Sequence, residues 1–340
     1  NMDLLSRFGA EGDGGTQLDK LGGAGWQARK ARVKKDLMSM AGDLLKVAAE
    51  RLMKPGEEYT PDGHGYAEFV ARFPYVETDD QQNAITDVLS DLARGSPADR
   101  LVCGDVGFGK TEIALRAAYV VASNGAQVAV VVPTTLLARQ HYHSFSARFV
   151  GMGIRVGQIS RMVGADERKR VKQGIANGSV QVVVGTHALL AKDIKFAHLG
   201  LMIVDEEQRF GVKQKEALKA LKTDVHVVTL TATPIPRTLQ MALTGVRDMS
   251  IMASAPVDRL AIRTSVLPFD AMIVREAILR ERHRGGQTFY VCPRISDMSD
   301  VAQRLAELVP EVRVVVAHGQ LSPTELEARM GAFYDRQYDV

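Results

Sequence analysis

The chain has 340 residues, with 43 Lys plus Arg against 40 Asp plus Glu and a formal net charge of +3. That near-balance excludes a uniformly basic nucleic-acid coat, so a polyanionic partner has to be met by a local patch. A hydrophobic fraction of 46% suits two or three globular domains, while no apolar run approaches membrane-spanning length and residues 1–30 carry no signal-peptide pattern.

Residues 1–25 are rich in glycine and polar side chains and cannot form a core alone. The opening Asn1-Met2 is expected of a piece of a longer protein. From Trp26 to Met53, Trp26, Val33, Leu37, Met40, Leu44, Val47 and Leu52 recur at helical steps, opposite a basic face that includes Lys30, Lys34 and Lys46. The period predicts a long helix, stopped by Lys54-Pro55-Gly56. Its charges read first as a solvated face, and otherwise as a connector packing on a neighbouring domain or on DNA. Glu57 to Asp80 reads as a lead-in containing a short helix.

Strands and helices then alternate. Strands are predicted near 100–103, 127–132, 155–159, 180–184, 199–204 and 225–230, with helices around 110–122, 134–149, 166–177 and 212–221. The strands are continuous apolar runs, as in Val128 to Val132 and Val180 to Val184. Such runs suit a parallel sheet covered on both faces. Turns around 255–263 mark a boundary at 255/256. A second alternating series begins there, with strands predicted at 262–267, 288–291 and 312–316. Cys103 and Cys292 fall in separate predicted strands without metal spacing, as reduced core residues of a cytoplasmic protein do.

Between the first strand and its helix stands Gly104-Asp105-Val106-Gly107-Phe108-Gly109-Lys110-Thr111. It fits G-x-x-x-x-G-K-[ST], and the strand–loop–helix setting makes a chance glycine turn a poor alternative. The glycines let backbone N–H groups face a polyphosphate. Lys110 would reach the outer phosphates, and Thr111 would hold Mg2+. Leu201 to Glu206 is an apolar strand ending in two acids. Asp205 suits the metal's water shell, and Glu206 suits the attacking water. Together these predict ATP and Mg2+ as ligands.

Several shorter strings fall in order around these two. Asp205-Glu206-Glu207-Gln208 resembles the DExx box of superfamily 2 helicases and translocases, and Thr231-Ala232-Thr233 resembles their coupling motif. Pro133-Thr134-Thr135 through Arg139-Gln140 and Gly185-Thr186-His187 resemble the DNA-backbone motifs. Thr78-Asp79-Asp80-Gln81 resembles the adenine-reading segment. Simple helix capping also accounts for Thr134, Thr135 and Thr186. The strings Asp205 to Glu216 and Leu230 to Leu239 are similar to the RecG/Mfd branch. Leu18 to Trp26 and the basic helix resemble the Mfd side of it, the bacterial transcription-repair coupling factors. The resemblance covers essentially the whole chain.

The resemblance implies an α/β fold: a RecA-like parallel-sheet domain with a P-loop (55–255), an incomplete second RecA-like domain (256–340), and a long N-terminal helix (26–54). Residues 1–25 would end an RNA-polymerase-interacting domain. It implies an ATP-driven double-stranded DNA translocase that displaces stalled RNA polymerase and, as part of a longer protein, recruits the excision-repair factor UvrA. Lys110, Thr111, Asp205, Glu206 and Gln208 would carry hydrolysis, with Gln81 on the adenine. Thr134, Thr135, Arg139, Gly185, Thr186, His187, Arg237, Arg294, His318 and Gly319 would form or couple the DNA track. An arginine finger and a translocation hairpin are expected beyond Val340, so the piece alone is expected to hydrolyse ATP poorly. A RecG-like fork-remodelling motor and an ATP-binding module without turnover are the competing readings. A P-loop kinase fits less well, because Thr231-Ala232-Thr233 has no place there.

Overall fold

The computed structural model describes residues 23–25, 27–28, 30–32, 34–35, 49, 53–191, 193–211, 214–215, 218, 224–233, 247–256, 259 and 262–340. Its strands are β1 (Asp99–Gly104), β2 (Gln127–Val131), β3 (Val156–Ile159), β4 (Val182–Gly185), β5 (Leu199–Asp205), β6 (His226–Thr231) and β7 (Asp248–Met252). All pair in parallel, in the order β3-β4-β2-β5-β6-β1-β7. The helices are α1 (His64–Ala71), α2 (Asp79–Leu92), α3 (Lys110–Ser123), α4 (Thr135–Phe149), α5 (Ala165–Ala176), α6 (Ala271–His283), α7 (Met298–Leu308) and α8 (Pro323–Tyr334).

The two-residue period of the strands sorts the core into two layers. Val128, Val130, Leu201 and Ile203 face one side, where Ile85 and Val88 of α2, Ile113 and Val120 of α3, and Phe145 and Phe149 of α4 cover them. Ala129, Val131, Met202 and Val204 face the other side, against Val171 and Ile175 of α5 together with Leu189, Phe210 and Leu218. Helix α3 is buried from Glu112 through Ala122, which is why its sequence is mostly apolar rather than striped, and the two charges it buries are paired, Arg116 with Glu112 (3.0 Å) and Glu112 with Arg148 (2.8 Å). At the other end of the sheet, Glu57 pairs with His198 (2.7 Å) and Lys54 pairs with Asp224, tying the lead-in to the strand starts.

Because every strand runs the same way, every β-to-α turn opens at one edge. Read along that edge, the turns carry Thr186 and His187 after β4, Thr134 and Thr135 after β2, and Asp205 to Gln208 after β5. Thr231 to Thr233 after β6 and the glycine-rich loop after β1 complete the row. Ligands of open α/β sheets bind outside these carboxyl ends, where the strand order reverses.

Several sequence expectations need correction. None of the segments 262–267, 288–291 and 312–316 forms a strand in the structure. Val340 N–H donates to the Arg313 carbonyl (3.2 Å), Val315 N–H to the Val340 carbonyl (3.0 Å), and Thr288 N–H to the Asp339 carbonyl (2.9 Å). These segments lie side by side but touch at isolated points, and a ladder needs consecutive bonds. Cys292 is therefore not in a strand, and both cysteines are free. Helices α2 and α8 and strand β7 had no counterpart in the sequence reading, whereas α6 and α7 fall in the gaps between the strands predicted for the second alternating series. The described residues between 24 and 35, and residues 49 and 53, are helical. Most of the expected helices 26–53 and 212–221, and Arg237, lie outside the described residues.

Candidate nucleotide site and phosphate track

The glycine-rich loop leaves β1 at Gly104 and enters α3 at Lys110. Gly107 (φ 79°) and Gly109 (φ 82°) occupy left-handed backbone that only glycine enters without strain. A Cβ on Gly109 would sit 2.3 Å from Gln81 Nε2, so that amide would have to move aside for it. Glu112 N–H donates to the Gly109 carbonyl (2.9 Å), so the N–H groups of Lys110 and Thr111 are the ones left at the start of α3 to cradle an anion. Lys110 Nζ folds back and donates to the carbonyls of Gly104 (2.7 Å) and Asp105 (3.0 Å). Burial holds its pKa below the ordinary lysine value, opposed by the charges of Asp205, Glu206 and Asp105. The ammonium thus sits where a polyphosphate would take over from two carbonyls.

Gln81 is placed by a capping box at the start of α2. Its N–H donates to Thr78 Oγ1 (3.2 Å), and its Oε1 accepts from Thr78 N–H (2.9 Å). Its Nε2 donates to the Phe108 carbonyl (2.8 Å). Both ends of the amide expected to read adenine are therefore engaged within the protein. Asp80, one residue earlier, accepts from Ala253 N–H (2.9 Å) and Ser254 N–H (2.7 Å) after β7, closing this side of the loop.

Asp205 ends β5, and its Oδ2 lies 2.9 Å from His141 Nε2 on α4. Glu206 follows in left-handed backbone (φ 53°, ψ 49°), a conformation that costs a non-glycine residue about 1–2 kcal/mol. The strain turns its carboxylate towards β6, where it accepts from Ala232 N–H (3.1 Å) and from Gln208 Nε2. Gln208 also donates to Thr233 Oγ1 (3.3 Å) and accepts from Thr231 Oγ1 (3.3 Å). The Asp205–Gln208 turn and the Thr231–Thr233 turn are thus one hydrogen-bonded unit. Arg247, buried before β7, lies beneath that unit and pairs with Asp99 (2.7 Å) and Glu207 (3.5 Å).

The oxygen donors of Thr111 and Asp205 suit a hard divalent cation. Among the described residues no group of three or more His, Cys, Asp or Glu could cage a metal by itself. That donor set fits Mg2+, which keeps waters and phosphates in its shell rather than an all-protein cage.

The expected track residues share the same edge but stand in different surroundings. Thr134 caps α4 by accepting from Leu137 N–H (3.2 Å). Thr186 is buried and its hydroxyl faces Ala188 N–H (3.5 Å). Gly185 is required by space, since a Cβ there would lie 2.4 Å from the Ile159 carbonyl. His187 is exposed. Thr135 donates to Glu327 of α8 (2.6 Å), and Arg139 donates to both oxygens of Asp335 (2.7 and 2.9 Å). In the second lobe, Arg294 and Gly319 are exposed and His318 is half-buried.

Two residues at the site had no role in the sequence reading. His141 looked like an ordinary helix position, and its partner is 64 residues away in the chain. Arg259 comes from the segment read as a boundary. Its guanidinium lies 4.9 Å from the centre of the Phe108 ring and 3.6 Å from Asp105, over the glycine-rich loop.

Residues 78–242 match the family model of the DEAD/DEAH box helicases. Over its whole length the chain is 46% identical to the transcription-repair-coupling factor of Rickettsia bellii and 46% identical to that of Escherichia coli, spanning 30% of each. It is 49% identical to the transcription-repair-coupling factor of Myxococcus xanthus, spanning 28% of it. The chain thus covers under a third of the length of these relatives. Among solved structures it is similar to RecG bound to a three-way DNA junction, with a TM-score of 0.72, 32% identity, and coverage of 92% of this chain and 43% of that one. The sheet and its helices form the RecA-like helicase fold, and the whole chain is similar to one segment of transcription-repair-coupling factors.

Proposed function

We propose that this chain is the ATP-using motor segment of a double-stranded DNA translocase. In the whole protein that motor would displace stalled RNA polymerase and hand the lesion to nucleotide excision repair through UvrA, in the cytoplasm. One observation carries the reading. The glycine-rich loop, the Asp205–Gln208 turn and the Thr231–Thr233 turn stand on three neighbouring strand ends, in a chain 44–49% identical to coupling factors throughout. Lys110 would exchange its two carbonyl acceptors for β- and γ-phosphate oxygens. Glu206 would leave Ala232 N–H and Gln208 to accept a proton from the attacking water. A bound Mg2+, held through Thr111 and Asp205, would neutralise charge on the phosphates. Because Gln208 bonds both Glu206 and the Thr231–Thr233 turn, release of Glu206 rearranges β6's turn too. Thr134, Thr135, Arg139, Gly185, Thr186 and His187 would hold backbone phosphates without reading bases. Arg294, His318 and Gly319 would do so from the second lobe, and Arg237 would couple the two sites. The domain limits 1–25, 26–54, 55–255 and 256–340 are part of the proposal.

The similarity to RecG on a junction favours a second reading, fork remodelling. ATP turnover of the full-length protein, measured with no DNA, linear duplex and a three-way junction, separates the two. Stimulation by linear duplex, abolished in Lys110→Ala, supports the proposal. Stimulation by the junction alone, with no affinity for RNA polymerase, supports fork remodelling. Nucleotide binding without turnover under any condition sinks both motor readings.

A further inference from the structure

We infer that His141 is a positioning residue for Asp205, fixing that carboxylate for the cation's water shell and tying it to the helix that carries Thr134, Thr135 and Arg139. The inference rests on the proposed nucleotide site.

Three observations carry it. The imidazole is 8% exposed and the Asp205 side chain 13%, and Nε2 and Oδ2 are 2.9 Å apart. A carboxylate can only accept, so the ring holds its proton on Nε2, and the bond engages Oδ2 while Oδ1 remains for a cation-bound water. The other ring nitrogen, Nδ1, is buried and has no hydrogen-bond partner among the described residues. A buried ring with an orphaned nitrogen is worse for packing than an apolar ring of similar shape, so filling space does not account for a histidine here. The contact with Phe145 (centroids 6.1 Å apart, planes at 56°) would serve an apolar ring equally well.

The location supplies the rest. Helix α4 starts directly after β2, and β2 and β5 are paired neighbours. His141 lies two residues past Arg139 on the helix whose first turn faces the track. Asp205 ends the adjacent strand, close enough to the glycine-rich loop for its charge to act on Lys110. A shift of α4 when phosphates engage its first turn is therefore transmitted to the metal-binding carboxylate through one hydrogen bond. Partners of this kind, which orient a ligand rather than bind the metal, typically change metal affinity by about 10–100-fold when removed.

The test is a fluorescence titration of full-length protein with mant-ADP across Mg2+ concentrations, giving the apparent Mg2+ affinity without turnover. His141→Ala should weaken it by about 10–100-fold. His141→Gln, whose amide nitrogen reaches the place of Nε2, should restore most of that loss. His141→Asn, whose amide lies at the place of Nδ1, should not. If the alanine variant fails to fold, the contrast between glutamine and asparagine decides alone. Equal losses in glutamine and asparagine would overturn the inference in favour of packing. So would an unchanged His141→Ala alongside an Asp205→Asn that loses Mg2+ dependence, an outcome that leaves the site reading intact. If the wild-type protein shows no Mg2+-dependent nucleotide binding, the site reading fails and takes this inference with it.

Discussion

Removing the acids of α8 that sit on α4 should tighten binding to duplex DNA. Thr135 and Arg139, two of the proposed phosphate contacts, donate to Glu327 and Asp335. Carboxylates there occupy the donors a phosphate would use, so DNA has to displace them. The Arg139–Asp335 pair is short but 28% and 48% exposed, which puts it at about 0.5–1 kcal/mol. The half-buried hydroxyl-to-carboxylate bond of Thr135 adds about 1.5 kcal/mol. Their sum, about 2 kcal/mol, sets a ceiling of roughly thirtyfold on the gain in affinity. Anisotropy of a short labelled duplex should therefore show Asp335→Asn binding a few-fold tighter and Glu327→Gln/Asp335→Asn approaching that ceiling. Glu325→Gln is the control: Glu325 lies on the same helix but pairs with Arg329 (2.6 Å) rather than with α4. A matching gain in the control would mean that net charge alone is at work. An unchanged double variant would refute the competition argument.

Three further outcomes follow from the geometry. Glu206→Gln should bind nucleotide normally but lose about 10²–10⁴-fold in turnover, because the amide cannot accept the water's proton; single-turnover kinetics check this. Gly109→Ala forces left-handed backbone on a residue with a Cβ and pushes Gln81 off the Phe108 carbonyl. Those two effects total about 2–3 kcal/mol, readable as a lower urea midpoint, and an unshifted midpoint would show that the loop relaxes freely. Asp339 has its pKa held below the ordinary 3.8 by the Arg313 hydrogen bond, against some desolvation. Its contribution is complete above that ordinary value and is lost as pH falls through the lower folded value. The acid arm of the stability curve should flatten in Asp339→Asn, and an identical acid arm would count against the pairing.

Legibility followed the backbone. The glycine-rich loop and the acidic strand end are local: glycine spacing and an apolar run ending in acids state their own geometry. Six of the seven strands of the sheet were readable, most of them from continuous apolar runs such as Val128 to Val131 and Leu201 to Val204, although β3 carries Gly157 and Gln158. Helix α2 was not legible although Thr78 and Gln81 have capping-box spacing, because the same letters also fit an adenine-reading segment. Val312 to Val316 has the letters of a strand, but its segment meets Val340 at isolated bonds, and no sequence pattern states how long a pairing runs. His141 was invisible for a different reason. A histidine among Tyr142, Phe145 and Phe149 reads as helix filling, and only the β2–β5 pairing brings it to Asp205. The left-handed backbone at Glu206 likewise gave no signal, since the residue there is not glycine.

What unites these side chains is that each already has a protein partner. Lys110 rests on two carbonyls, Glu206 on Ala232 N–H, Gln81 on Phe108, and Thr135 and Arg139 on α8. Each of these contacts therefore exchanges one bond for another, and its net value is a difference of about 1 kcal/mol rather than a whole hydrogen bond. That makes single contacts weak switches and sets of exchanges strong ones. Releasing Glu206 alone strands Ala232 N–H and Gln208, but releasing it while Lys110 moves to phosphate gives both a reason to move together. The Gln208 bonds carry that exchange towards β6, and the His141 bond carries it towards α4. A site arranged this way responds to nucleotide and to a phosphate track jointly, because neither ligand by itself compensates for all the bonds that have to break.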